Sequence, residues 1–104
     1  MQASTQEFQR IKEVVARHFN LDGDDLDLRT RSWRIMWPRQ IAIWFMRESE
    51  DRRMASWHNI AAQFGEPSFA HGTARNAWEC VNNARQSEAH TARLLAELKE
   101  EMGK

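Results

Sequence analysis

The chain is predicted to be all-α, a compact bundle of about five or six helices. Three observations lead there. Apolar side chains recur at spacings of three and four along most of the 104 residues. No segment shows the period-two alternation of a half-buried strand. Pro38, Gly65 and Pro67 fall where helices have to start or stop.

The first helix is expected over about residues 5–19. Ser4 and Glu7 have the spacing of a capping box, and Phe8, Ile11, Val14, Val15 and Phe19 form its apolar face. Residues 20–23 read as a turn, and Leu26 and Leu28 sit in an acidic segment with room for one or two helical turns. Residues 29–34 follow as a basic loop. A second long helix is expected over about 36–48, because a proline inside a helix removes a backbone hydrogen bond and Pro38 should therefore lie in its first turn. Ile41, Trp44 and Phe45 carry its apolar stripe.

Ser56 is a plausible N-cap for a short helix with Trp57, Ile60, Ala61 and Phe64 on one side. Gly65 ends that helix and Pro67 prevents its continuation. A further helix begins near residue 70 or 71, presents Ala74, Ala77, Trp78 and Val81, and ends or bends near 86–87. The last helix, over about 88–102, uses Ala92, Leu95 and Leu98. Neither repeats nor low-complexity linkers interrupt the chain, and one domain spanning 1–104 is expected.

Composition narrows the function. Fifteen basic side chains balance fifteen acidic ones, so no global positive excess announces a polyanionic partner. The charge is regional instead. Asp22, Asp24, Asp25 and Asp27 form an acidic patch, after which Arg29, Arg31, Arg34, Arg39, Arg47, Arg52 and Arg53 outnumber Glu48, Glu50 and Asp51. All seven basic residues are arginine, whose planar fork suits phosphates and guanine edges. Cys80 is the single cysteine, which excludes an internal disulfide and fits a reducing compartment. No stretch approaches the length of a membrane span, and a cytoplasmic, nucleoid-associated protein is expected. His18, His58, His71 and His90 are scattered without paired ligand spacing, so neither a metal nor another cofactor is expected. No nucleophile and base arrangement suggests an enzyme.

Two short helices joined by a turn, the second opening on small and polar residues, have the form of a helix-turn-helix. The pair would be residues 57–64 and 71–85. Trp44, Trp57 and Trp78 sit on apolar faces and are expected in the core. Trp33 and Trp37 flank the basic loop, and packing over it is the favoured reading, ahead of stacking on nucleic acid or meeting a protein.

At this point a family resemblance emerges. Ile11, Val14 and Phe19, then Asp25-Leu26, the arginine loop, Pro38-Arg39-Gln40-Ile41-Ala42, Ser56, Ile60, Phe64-Gly65 and His71-Gly72-Thr73 follow the order of the C-terminal DNA-binding domain of the bacterial replication initiator DnaA. The similarity spans about residues 11–81 and is ungapped from Asp25 to Ala42. It implies a helix-turn-helix of the Trp-repressor-like type that binds double-stranded DNA, with Arg31 in the minor groove and the start of the recognition helix in the major groove.

By the same resemblance Arg39, Gln40, Ser56 and the start of the recognition helix would hold phosphates, while His71 and Thr73 would match part of an Asp-His-Thr-Thr motif. Arg29, Arg34, His58, Ser68, Gly72 and Arg75 complete the candidate DNA-contacting set. The departures are specific. The family's aspartate falls on Ala70, its first threonine on Gly72 and the following valine on Ala74. The turn over 65–70 and the connection over 50–53 are each expected to be longer than usual. Loss of the aspartate removes an acceptor for a cytosine amino group, so the usual DnaA box is not the expected target. The sequence contains no phosphate-binding Gly-x-x-x-x-Gly-Lys loop, so no ATP site is expected in these residues, as in a stand-alone relative or a fragment. The alternative is a transcriptional regulator, or a protein-interaction module docking through Trp33, Trp37 or the C-terminal helix.

Overall fold

The structure, a computed structural model, describes residues 2–49, 56–65 and 70–103, with side chains from Gln6 onward. Five α-helices and one 3₁₀ turn, with no strand among the described residues, make up the fold: α1 (Gln2–His18), the 3₁₀ turn (Gly23–Asp27), α2 (Trp33–Arg47), α3 (Trp57–Ala62), α4 (His71–Ser87) and α5 (Ala89–Met102).

Helix α1 starts three residues before the predicted 5, so Ser4 lies inside the helix and does not cap it. Its neighbours Ala3, Gln6 and Glu7 are good helix formers. The other end closes with a Schellman arrangement. Asn20 takes φ 61°, Leu21 N–H donates to the Ala16 carbonyl at 2.8 Å, and Asn20 N–H donates to that of Arg17 at 3.0 Å. Leu21 is thereby tucked into the core. The turn Gly23–Asp27 is set by Asp25, whose carboxylate accepts from the Asp22 N–H at 2.9 Å, and it buries Leu26 completely.

Helix α2 begins at Trp33, and Pro38 lies inside it. The expectation that Pro38 belongs to the first turn is therefore corrected. Two contacts stabilise the extra N-terminal turn despite the missing donor. Trp33 and Trp37, one turn apart, stack at 5.3 Å with their planes 15° apart, and Ile35 is buried. Pro38 itself is buried in the core.

Helix α2 is the central element, packing on both α1 and α4, while α5 closes the bundle against α1 and α4. Phe8, Val15, Leu26, Ile41, Ile43, Met46, Ile60, Phe64, Val81 and Leu98 form the fully buried interior. Trp44, Trp57 and Trp78 pack against this core but remain half-buried, because each indole also meets a polar or cationic neighbour. Trp78 Nε1 donates to Glu48 at 3.0 Å, Arg47 lies over Trp57 and Arg85 over Trp44. No described helix is long and apolar enough to cross a membrane. The expected lengthening at 50–53, and most of that at 65–70, lie outside the described residues.

Candidate nucleic-acid interface

The interface is built on the short helix α3 and the start of α4. Ser56 caps α3, its Oγ accepting from the Asn59 N–H at 3.2 Å. Gly65, at φ +87°, turns the chain out of α3 in a backbone state that favours glycine. Helix α4 opens at His71 behind Ala70, which has no side chain able to cap it. The first intrahelical bonds there come from the Thr73 and Ala74 N–H groups to the Ala70 carbonyl. Free N–H groups at a helix start form a partial positive charge suited to an anion.

Lys12 joins this unit to the basic loop. Only 4% exposed, it donates from Nζ to Asp27 Oδ1 at 2.8 Å and to the Gln63 carbonyl at 2.7 Å, and sits 5.1 Å from the centre of the Phe64 ring. Asp27 ends the 3₁₀ turn, and Gln63 and Phe64 directly follow α3. One buried ammonium therefore holds the root of the basic loop against the exit of α3. Arg29 repeats the link from outside, donating to the carbonyls of Asp27 and Phe64, both at 2.9 Å. Arg39 adds a third tie, to the Leu28 carbonyl at 2.6 Å. Burial, and then the neighbouring charge of Arg29, lower the Arg39 pKa from its ordinary value, while Asp27 opposes the shift.

The candidate arginines therefore divide by geometry. Arg29 and Arg39 are engaged by carbonyls of the fold itself. Arg31 in the loop and Arg34 in the first turn of α2 are exposed, and no hydrogen bond or ion pair to another described residue holds either one. Arg75, one turn into α4, is exposed but pairs with Glu79 at 3.2 Å.

Two contacts assemble further candidates that are distant in the sequence. His58 Nδ1 and His71 Nε2 lie 3.1 Å apart, their rings edge to face, so the second residue of α3 touches the first residue of α4. These two histidines are not scattered, as the sequence suggested, although no group of three or more metal-ligating side chains exists among the described residues. Arg39, Gln40 and Thr73 share a shallow groove of about 210 Å³ between α2 and α4, together with Met36, Ile43, Asn76 and Ala77. Gln40 Oε1 is buried there without a hydrogen-bond partner. Around Gly72 a Cβ would meet no atom within 4 Å, so the first turn of α4 has open space where the related motif carries threonine. Ser68 lies outside the described residues.

Lys12 and Asn76 escaped the sequence reading. Lys12 had a signal: with Phe8, Ile11 and Val15 it occupies the i, i+3, i+4, i+7 stripe that faces the core, where an unpaired lysine is not tolerated. Asn76 had a weaker one, lying one turn beyond Thr73 on the same side of α4. Of the two tryptophans expected to pack over the loop, Trp37 packs against the core, while Trp33 stacks on Trp37 and stays 58% exposed.

A short capped helix, a turn and a longer helix whose opening is small, polar and uncovered define a helix-turn-helix domain, a class built for binding DNA. Residues 8–81 match the family described as the bacterial dnaA protein helix-turn-helix. The chain belongs to that family. It is 37% identical over 95 residues to the chromosomal replication initiator protein DnaA of Symbiobacterium thermophilum, a match covering 88% of this chain and 20% of that protein. It is 34% identical over 89 residues to the protein of the same name from Caldanaerobacter subterraneus subsp. tengcongensis, covering 86% and 19%. The chain thus spans about a fifth of the length of these relatives. No solved structure matches it.

Proposed function

We propose that the domain binds a specific sequence of double-stranded DNA, with the loop around Arg31 in the minor groove and the start of α4 in the major groove. One observation carries the reading. Lys12, Arg29 and Arg39 fasten the basic loop to the rest of the domain, two of them directly to the end of α3, and leave Arg31 and Arg34 extended into solvent. A loop fixed in this way presents its cations at a set distance from the helix-turn-helix, as simultaneous engagement of two grooves requires.

Arg31 is the minor-groove reader, attracted by the negative potential of a narrow groove. Arg34, Ser56 and the N–H groups of His71 and Gly72 hold phosphates, with Arg29, Arg39 and Gln40 supporting the loop and the groove behind it. His71 and Thr73 meet base edges, backed by His58. Arg75 exchanges its bond to Glu79 for a phosphate. Ala70 offers no acceptor and Gly72 no hydroxyl, so the preferred sequence differs from the box read by an Asp-His-Thr-Thr helix. Origin-type replication initiation and transcriptional control would employ this same surface.

The test is selection from a random duplex library at moderate salt, followed by binding titrations of the selected sequence. Enrichment of one motif, with affinity that falls steeply with salt, is the expected result. Recovery of unselected sequence would overturn the specific reading.

A further inference from the structure

We propose that Trp33 is a stacking platform for an unpaired base, giving the domain a single-strand DNA contact beside its duplex-reading surface, with which it shares Arg31 and Arg34. Trp33 and Trp37 are stacked nearly parallel, 5.3 Å between centroids and 15° between planes. Trp37, half-buried, packs against the core, whereas Trp33 is 58% exposed. The inner ring therefore supports the outer one, and an aromatic surface is held open to solvent in the first turn of α2.

Charge identifies the partner. From Leu28 to Arg47 every charged side chain is arginine, with neither acidic residues nor lysine among them. Arg31 and Arg34 bracket Trp33 in sequence and are exposed without a hydrogen bond or ion pair to another described residue. An aromatic face between two free guanidinium groups is the combination that tracks a nucleic-acid backbone while stacking on its bases. A phosphate offers nothing to an indole face, and in an intact duplex each base face is covered by its neighbours. The complement of Trp33 is therefore a base released from pairing, in a single strand or a melted step beside the duplex site. A protein partner would instead require an apolar contact without dependence on π-stacking.

The whole chain is titrated with a fluorescently labelled 20-nucleotide oligothymidylate and, separately, with random-sequence duplex of equal length at low salt. Wild type is expected to bind both. Stacking of one base on an aromatic is worth about 1–3 kcal/mol, roughly 5- to 150-fold in affinity, so Trp33→Ala should weaken oligothymidylate binding within that range and change duplex binding by less than about twofold. Trp33→Leu, which preserves an apolar contact with Trp37, should lose as much as Trp33→Ala, and Trp33→Phe should retain part of the affinity.

Three results would overturn the proposal: no binding of wild type to the single strand, unchanged single-strand binding of Trp33→Ala, or full retention by Trp33→Leu, which would indicate a general apolar contact. An equal loss on duplex and single strand would also overturn it, by placing Trp33 within the duplex surface. Failure of sequence-specific duplex recognition has a separate signature, since it leaves the oligothymidylate series intact. Thermal unfolding of each variant confirms that the exposed substitution preserves the fold.

Discussion

Lys12 on α1 and Asp27 at the end of the 3₁₀ turn form a 2.8 Å ion pair whose ammonium side is 5% exposed and whose carboxylate side is 31% exposed. The ammonium has a second bond, to the Gln63 carbonyl, so the pair fastens the basic loop and the exit of α3 to one point of the core. Removing the lysine leaves that carbonyl without its donor and Asp27 without its paired ammonium. Lys12→Met should cost about 2–4 kcal/mol of stability, within the range for a mostly buried pair broken on one side, as measured by urea unfolding. Asp27→Asn leaves the buried ammonium without a counter-charge and should cost at least as much. A loss below about 0.5 kcal/mol for Lys12→Met would show that the pair does not anchor the loop.

Arg31 and Arg29 should separate binding from stability. Arg31→Ala removes a side chain with no hydrogen bond or ion pair to another described residue, so its melting temperature should be unchanged while specific duplex affinity falls by about 1–3 kcal/mol, roughly 5- to 150-fold. Arg29→Ala removes two bonds to carbonyls and should lower the melting temperature as well. Parallel anisotropy titrations and thermal melts of the two variants compare these outcomes directly.

The two glycines of the helix-turn-helix should respond in opposite directions. Gly65 has φ +87°, and forcing an alanine into the left-handed region costs about 1–2 kcal/mol. Gly72 is helical with open space around it, and Gly72→Ala should stabilise by up to about 1 kcal/mol through helix propensity. Denaturant midpoints of both variants provide the check.

Ala70→Asp should add the missing side-chain cap to α4 and stabilise the protein by about 1 kcal/mol. It should also shift the sequence selected from a random duplex library, because a carboxylate at that point accepts from a cytosine amino group. An unchanged selected motif would argue that the first turn of α4 does not face the bases.

His58→Ala removes the neighbour that places the His71 ring. Ser56 still caps α3, so folding should be retained while duplex affinity drops severalfold. A variant that binds as wild type would show that His71 needs no support from α3.

Much of this architecture was readable from local pattern. The helical periodicity of α3, α4 and α5, the Ser56 cap and the Gly65 stop depend on residues close in sequence, and the structure agrees with them to within a residue or two. The start of α2 was not readable, because the rule placing proline in a first turn competes with the Trp33–Trp37 stack and the burial of Ile35. Local propensity carries the penalty of Pro38 but not the packing that offsets it.

By itself the sequence determined the all-α class, the order of the helices and the family to which the chain belongs, since each rests on periodicity, capping or matched residues in a row. Only the tertiary structure decided which arginines are occupied and which are free. Arg29, Arg31, Arg34 and Arg39 are the same residue type in one short stretch, and their roles diverge through carbonyls supplied by Asp27, Leu28 and Phe64. The same holds for Lys12, whose partners lie 15 and 51 residues away, and for His58 and His71, brought together across the turn. Hydrogen bonds between distant segments have no periodicity to leave in a sequence, and folding alone brings their partners within reach.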